Sequence, residues 1–274
     1  MPPARNLAPN ASPLAFFGAE LRRYRTQAGL SQEQLASAIN YSTSLVGAVE
    51  LANRTPNRDF AERSDRALNA DGNLSRLWPL VHLGSYPTWF RTWVDVEREA
   101  RTLRTWQPLV VPGLLQTEAY ARAVVSRQPG MSADEAEEQI AARLARQEIL
   151  TREDPVLLWV LLDEGVLSRP IGDRADMHEQ LAKLVTMAVL PNITVQVLPM
   201  DAGSSCGLAG AFVIASLPGA PDTVYLEAQR EGRISDVPDD VVAVANRYTA
   251  IQADALPARA SIDLIEKVMS EKWT

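Results

Sequence analysis

The chain has 274 residues, a hydrophobic fraction of 46%, a net charge of −7 and a pI near 5.0, which suits a globular protein with a small domain followed by a larger one. No apolar run approaches bilayer-spanning length and no h-region follows the amino terminus. The single Cys206 excludes an intramolecular disulfide framework and a cysteine-based zinc site, so a cytoplasmic protein is expected.

Residues 1–12, rich in Pro, Ala and Asn, read as a disordered arm. Ser12-Pro13 is a helix start, with Pro at the first helical position, and the helix runs to about Ala28 with Phe17, Leu21 and Tyr24 along one face. Arg22, Arg23 and Arg25 cluster near its end, either to meet phosphates or because the helix dipole favours cations there. Gly29 can close this helix in the left-handed conformation, and Ser31 with Gln34 forms a capping box that opens the next, to about Ile39. Leu35, Ala36 and Ile39 face inward. After a break at Asn40-Tyr41, Ser42 caps a further helix to about Leu51, with Leu45, Val46 and Val49 inward and Thr43, Ser44, Gly47 and Ala48 outward. Two short capped helices joined by a tight turn form the helix-turn-helix pattern, whose second helix enters the major groove; the bland alternative is one corner of a ligand-free helical bundle. Asn57 opens another helix to about Leu68, ended by residues 69–72.

Gly29-Leu30-Ser31-Gln32, Leu35-Ala36, Val46, Val49-Glu50 and Arg54-Thr55-Pro56 together resemble the Cro/phage-repressor (Xre) family of DNA-binding domains, over residues 13–72. The resemblance implies that Gln32 bonds a DNA phosphate and braces the reading residues. It places Thr43, Ser44 and Ala48 at the base edges with Gly47 between them, includes Ser42 among the DNA-binding residues, and puts Asn53, Arg54 and Arg58 on the DNA backbone and Arg25 with Glu50 in a structural ion pair. These reading side chains are short and offer no bidentate contact, so hydroxyls, thymine methyls, water and DNA shape would carry specificity. One departure stands out: Ala52 occupies a position where the family usually has Gly. The charge suits this division, because residues 1–70 hold eight Arg against six acidic residues, whereas residues 71–274 hold 19 basic and 28 acidic. A single small domain with short reading residues supplies little affinity, so operator DNA is expected to be bound by a homodimer on two half-sites.

Residues 73–88 read as a linker or connecting helix, with Pro79 breaking any helix over 74–83. In the segment 86–106, Tyr86 and Phe90 accompany Trp89, Trp93, Val96, Ala100 and Leu103, which share a helical face; such a stripe is a core or, alternatively, a protein interface. Ser132 and Glu135 cap a helix to about Thr151, with Ala136, Ile140 and Leu144 on one face. Val156–Leu162 reads as a strand buried on both faces. A helix over 173–190 with Met177, Leu181, Leu184 and Ala188 inward follows, then a strand through Ile193, Val195 and Val197. Leu208–Leu217 and Thr223–Ala228 flank a Pro-Gly turn as a hairpin, and helices at about 238–254 and 259–271 finish the chain. The expected architecture is a multidomain chain: an all-α helix-turn-helix domain, then a larger α/β domain over 89–274, a mixed sheet with flanking helices.

The run from Leu103 to Arg122, containing Trp106-Gln107-Pro108 and Pro112-Gly113-Leu114-Leu115-Gln116-Thr117, resembles the regulatory domain of Scr1-type, antitoxin-like regulators of high-GC Gram-positive bacteria. Arg143–Gln147, Leu162-Asp163-Glu164, Met177–Leu181, Val195–Pro199, Asp201-Ala202-Gly203 and Val224–Glu227 match as well. This resemblance implies a transcriptional regulator antagonised by a small partner protein encoded nearby, with no catalytic residues.

An enzyme is the competing reading. His82 and His178 hold no metal-ligand spacing, so neither a metal nor a cofactor is expected. Asp163-Glu164 is the best-placed carboxylate pair, although Glu164 reads better as the cap of the next helix. Loop 201–207 could cradle an anion but lacks a phosphate-loop Lys, and Cys206 reads as a packing residue. A third possibility is an interaction module that mainly sequesters a small partner.

Overall fold

The computed structural model describes residues 12–84, 88–203, 206–228 and 231–274, with the side chains of 82–84 and 88–89 set aside. Residues 1–11 of the expected arm, Tyr86, residues 204–205 of the loop 201–207, and the side chains of His82 and Trp89 lie outside the described residues. The chain forms two compact units, one from residues 1–87 with 128–145, the other from 88–127 with 146–274.

The first unit is helical: α1 (Pro13–Gln27), α2 (Gln32–Ile39), α3 (Thr43–Glu50), α4 (Arg58–Leu68) and α5 (Asn73–Gly84). Its boundaries follow local chemistry. Ser12, Ser31, Ser42 and Asn57 each accept a backbone N–H in the first turn of the helix they open, and Ser31 with Gln34 completes the capping box. Gly29, Asn40 and Asn69 take positive φ values of 68°, 59° and 47° and so close α1, α2 and α4. Phe17, Leu21, Leu35, Ile39, Val46, Val49, Phe60 and Leu74 are fully buried in one core. Pro79 does not break α5: the missing N–H is outweighed by the packing of Leu74, Leu77, Trp78 and Val81 on that core. Asp65 fixes the start of this helix, its buried carboxylate accepting Leu74 N at 3.1 Å and Ser75 N at 2.6 Å.

Residues 133–146 form α8 (Ala133–Arg146), which falls in the first unit as far as Ala145. Ser132 and Glu135 cap it reciprocally, and Ala136 and Ile140 are buried. It ends at Arg146 instead of Thr151, where the chain tightens into a 3-10 turn over Gln147–Leu150.

The second unit holds a sheet of six strands in the order β3-β2-β1-β4-β5-β6, namely β1 (Thr102–Gln107), β2 (Leu157–Asp163), β3 (Ile193–Leu198), β4 (Phe212–Ser216), β5 (Thr223–Leu226) and β6 (Arg233–Ser235). β1, β2 and β3 are parallel, and β4 joins β1 antiparallel and begins an antiparallel run through β5 and β6. The mixed sheet agrees with the expected fold class, as does the β4–β5 hairpin. One face packs Leu103, Leu158, Val160, Leu162, Val195 and Val197 against α6 (Thr88–Glu99), α7 (Glu118–Val125), α9 (Glu164–Ser168), α10 (Arg174–Met187) and α12 (Ala258–Lys272). The other packs Trp106, Leu161, Phe212, Ile214 and Val224 against Val244, Tyr248 and Ile251 of α11 (Pro238–Asp254).

Several local expectations change. The helical face expected from Trp89 to Leu103 ends at Glu99, because Leu103 lies on β1, a strand with hydrogen-bonded neighbours on both edges. Trp93 and Trp106 are buried core, which answers the interface alternative for both. β2 is not buried on both faces: α11 reaches only part of its second face, and Leu157 and Trp159 are 48% and 40% exposed. The strand expected from Leu208 begins only at Phe212. Cys206 is exposed instead of packed.

The Pro112–Thr117 motif is held by glutamines. Gln116 donates to Val111 O at 2.7 Å, and the fully buried Gln180 donates to Leu115 O and accepts Thr117 N, both at 2.8 Å. Gln147 bonds the carbonyls of Gly113 and Gln116, and Lys183 Nζ joins it at Gln116 O, 2.8 Å away. The side chains thereby satisfy backbone groups of an irregular segment that cannot satisfy itself.

Burial pushes the Tyr248 phenol from its ordinary 10.0 up to about 12. Below about pH 10 the phenol is neutral both folded and unfolded; between these values the unfolded chain ionises first and stability is lost. Denaturant titrations at about pH 11 should therefore show less stability than at neutral pH, and Tyr248→Phe should remove part of that loss.

Candidate nucleic-acid interface

The end of α3 is fixed by a buried carboxylate. Glu50, 2% exposed, accepts both guanidinium arms of Arg25, Nη2 at 3.0 Å together with a shorter contact from Nε, and Gln32 Nε2 at 2.7 Å. Arg25 also donates to Leu30 O at 2.7 Å, so a single cation ties α1, the α1–α2 turn and α3 together. α1 approaches α3 closely because residue 18 is Gly; a Cβ there would stand 2.5 Å from Val49 O. The Gln32 side chain lies over Gly47, its Oε1 3.4 Å from where a Cβ would be, an ordinary packing distance.

With Val46, Val49 and Glu50 buried, the remaining face of α3 is turned to solvent. Thr43 and Ser44 are exposed, Gly47 and Ala48 are half-buried, and Ser42 is the N-cap whose Oγ lies 3.0 Å from Ser44 Oγ. Ser42 is thus occupied by the first turn. Past the helix, Asn53 and Arg54 are exposed, while Arg58 pairs with Glu62 at 2.7 Å across an exposed helix turn. An exposed pair of this kind is weak and can yield to a phosphate. Ala52 takes φ +55°, the conformation for which glycine is usual.

Sequence reasoning missed a second brace beside the turn. Tyr41 donates between Asn57 Oδ1 at 3.1 Å and Asp59 Oδ2 at 2.9 Å and packs edge-on to Phe60, while Arg63 pairs with Asp59 at 2.8 Å. The Arg63 guanidinium, with help from Tyr41, holds the Asp59 carboxyl below its usual range, and burial pushes the Tyr41 phenol up. The signal available was only an aromatic within the break and an acid and an arginine spaced i,i+4 on α4.

In the second unit, the carboxylate pair is engaged. Asp163, not Glu164, caps α9, its Oδ1 accepting Gly165 N at 2.8 Å, and Glu164 Oε2 accepts Met200 N at 2.8 Å. Asp163 is the residue whose extended backbone precedes the helix, which is why it takes the cap. His178 is exposed on α10, and among the described residues no group of three or more His, Cys, Asp and Glu could hold a metal ion.

A family model described as a helix-turn-helix domain matches residues 17–78, and one described as a domain of unknown function, DUF5753, matches residues 90–267. The chain belongs to the DUF5753 family. No curated protein and no solved structure matches it. The DUF5753 region contains every strand of the sheet, and the helix-turn-helix match spans the braced α2–α3 pair, which makes the first unit a DNA-binding one. No described helix is long and apolar enough to cross a membrane.

Glu50→Gln removes the charge that holds Arg25 and should destabilise the first unit by about 3 kcal/mol in thermal or denaturant melts. Ala52→Gly relieves the left-handed strain at the end of α3 and should stabilise it by about 0.5–1 kcal/mol, read as a higher melting temperature.

Proposed function

We propose that this DUF5753 protein is a sequence-specific transcriptional regulator of the Xre type, cytoplasmic and non-catalytic, that binds an operator as a homodimer. Its α3 enters the major groove. Its larger domain, of the Scr1 antitoxin-like kind, receives the signal of a small partner protein or ligand. The observation that carries the reading is the solvent-facing set Thr43, Ser44, Gly47 and Ala48 on a helix locked from behind by Arg25, Glu50 and Gln32. A rigid helix presenting only small side chains can come close to base edges, where thymine methyls, hydroxyl contacts and groove shape discriminate. In this reading Gln32 braces through Glu50 and reaches a phosphate, and Asn53, Arg54 and Arg58 hold the DNA backbone. The engagement of Asp163 and Glu164 in a cap and a loop contact supports structural roles for both.

The experiment is a binding titration of the purified chain on its own promoter and on random DNA across a salt series. Preference for the promoter at moderate salt is the expected result, and equal affinity for both would end the proposal. Arg54→Ala should weaken both DNAs alike and lower the salt slope by about 1 per copy, whereas Thr43→Ala should cost about 1 kcal/mol on the promoter and leave random DNA unchanged.

A further inference from the structure

Gln32 opens α2, and the carboxylate beside it fixes the orientation of its amide. Nε2 donates to Glu50 Oε2 at 2.7 Å, and Glu50 is buried and held in turn by Arg25. Turning the amide over would bring Oε1 against that carboxylate, two acceptors with no proton between them. Oε1 therefore points away from Glu50 and lies over Gly47, 3.4 Å from where a Cβ would stand. Gly47 follows Thr43 by four residues and Ser44 by three, so these three share the outward side of α3, away from the buried Val46 and Val49. The half-buried Gln32 side chain thus brings a carbonyl oxygen from α2 onto the outward surface of α3. Among the described residues no donor meets Oε1.

A fixed acceptor selects what it can meet. Phosphate oxygens are acceptors themselves, so a phosphate can take the second Nε2 hydrogen but never Oε1. In a major groove the donors are exocyclic amino groups, N6 of adenine and N4 of cytosine, whereas guanine and thymine show acceptors there. Thr43 and Ser44 carry hydroxyls, which rotate to donate or accept and so tolerate either kind of base edge. Oε1 can only accept, and leaving it without a donor once water is expelled costs the desolvation of a carbonyl. We propose that Gln32 is a base-reading residue, its Oε1 accepting a hydrogen bond from an exocyclic amino group in the major groove, adenine N6 or cytosine N4. The inference rests on the operator reading and adds to it a contact that a phosphate-bonding brace does not make.

The test is a binding titration of the full chain on its own promoter, with each base pair of the bound site changed in turn. The wild type should show a position where a base bearing an amino group is preferred by about fivefold, and whether adenine or cytosine is preferred there names the donor. Replacing that base by its analogue without the amine, purine for adenine or 2-pyrimidinone for cytosine, should cost the wild type about the same factor and cost Gln32→Met nothing. Preferences at the other positions should be the same in both proteins, an outcome that a bracing role alone would not give. A promoter on which no amine removal weakens the wild type, or a Gln32→Met variant that weakens every sequence alike, would overturn the inference and leave operator binding standing. Equal wild-type affinity for promoter and random DNA would overturn both. Should Gln32→Met fail to fold, the amine removals decide on the wild type alone: a loss confined to one position of each half-site supports the contact, and no loss anywhere overturns it.

Discussion

Everything the first unit does depends on one buried carboxylate. Glu50 sits at the last turn of α3, where a helix presents unsatisfied carbonyls and where a negative charge is unfavourable on dipole grounds. It is held there by the Arg25 guanidinium and the Gln32 amide, and through Arg25 it fixes the turn at Leu30 as well. The ion pair converts three short helices, each too short to persist alone, into one rigid frame. Apolar packing of Val46 and Val49 sets how deep α3 sits, and the charge network sets its rotation.

That division of labour leaves the outward surface of α3 to small side chains. Thr43, Ser44, Gly47 and Ala48 are short, so the backbone that carries them defines the shape of this surface. Gly18 serves this placement by admitting α1 to the back of α3. The second brace, Tyr41 with Asn57, Asp59 and Arg63, secures the turn to α4 and limits the freedom of α2 relative to α3.

Much of this was legible in the sequence because it is local. The serine, asparagine and glycine signals that bound α1 to α4 act within three or four residues of themselves, so reading them requires no tertiary knowledge. The larger unit was legible where periodicity was clean, as in α10, α11, α12 and the β4–β5 hairpin. It was opaque where distant partners decide. β1 reads as helix continuation because nothing nearby says that Leu103 will pair with Leu158 on one side and Ala215 on the other. The long-range glutamine ties on 113–117 come from residues 147 and 180, and no local pattern announces that a buried Gln will serve a loop carbonyl. The exposure of Trp159 follows from where α11 stops, which its own strand sequence does not encode.

The central position of β1 has a consequence for synthesis. Thr102 pairs with Leu157 and with Ser216, so the middle strand of the sheet waits for more than a hundred further residues before its second edge is filled. Contacts of such long range close slowly, and a chain emerging from the ribosome meets them last. Helices α1 to α5 are complete by residue 84 and depend mainly on neighbours already translated. The nascent chain therefore passes through a stage in which helices α1 to α5 are assembled while the sheet that follows still exposes an unpaired edge.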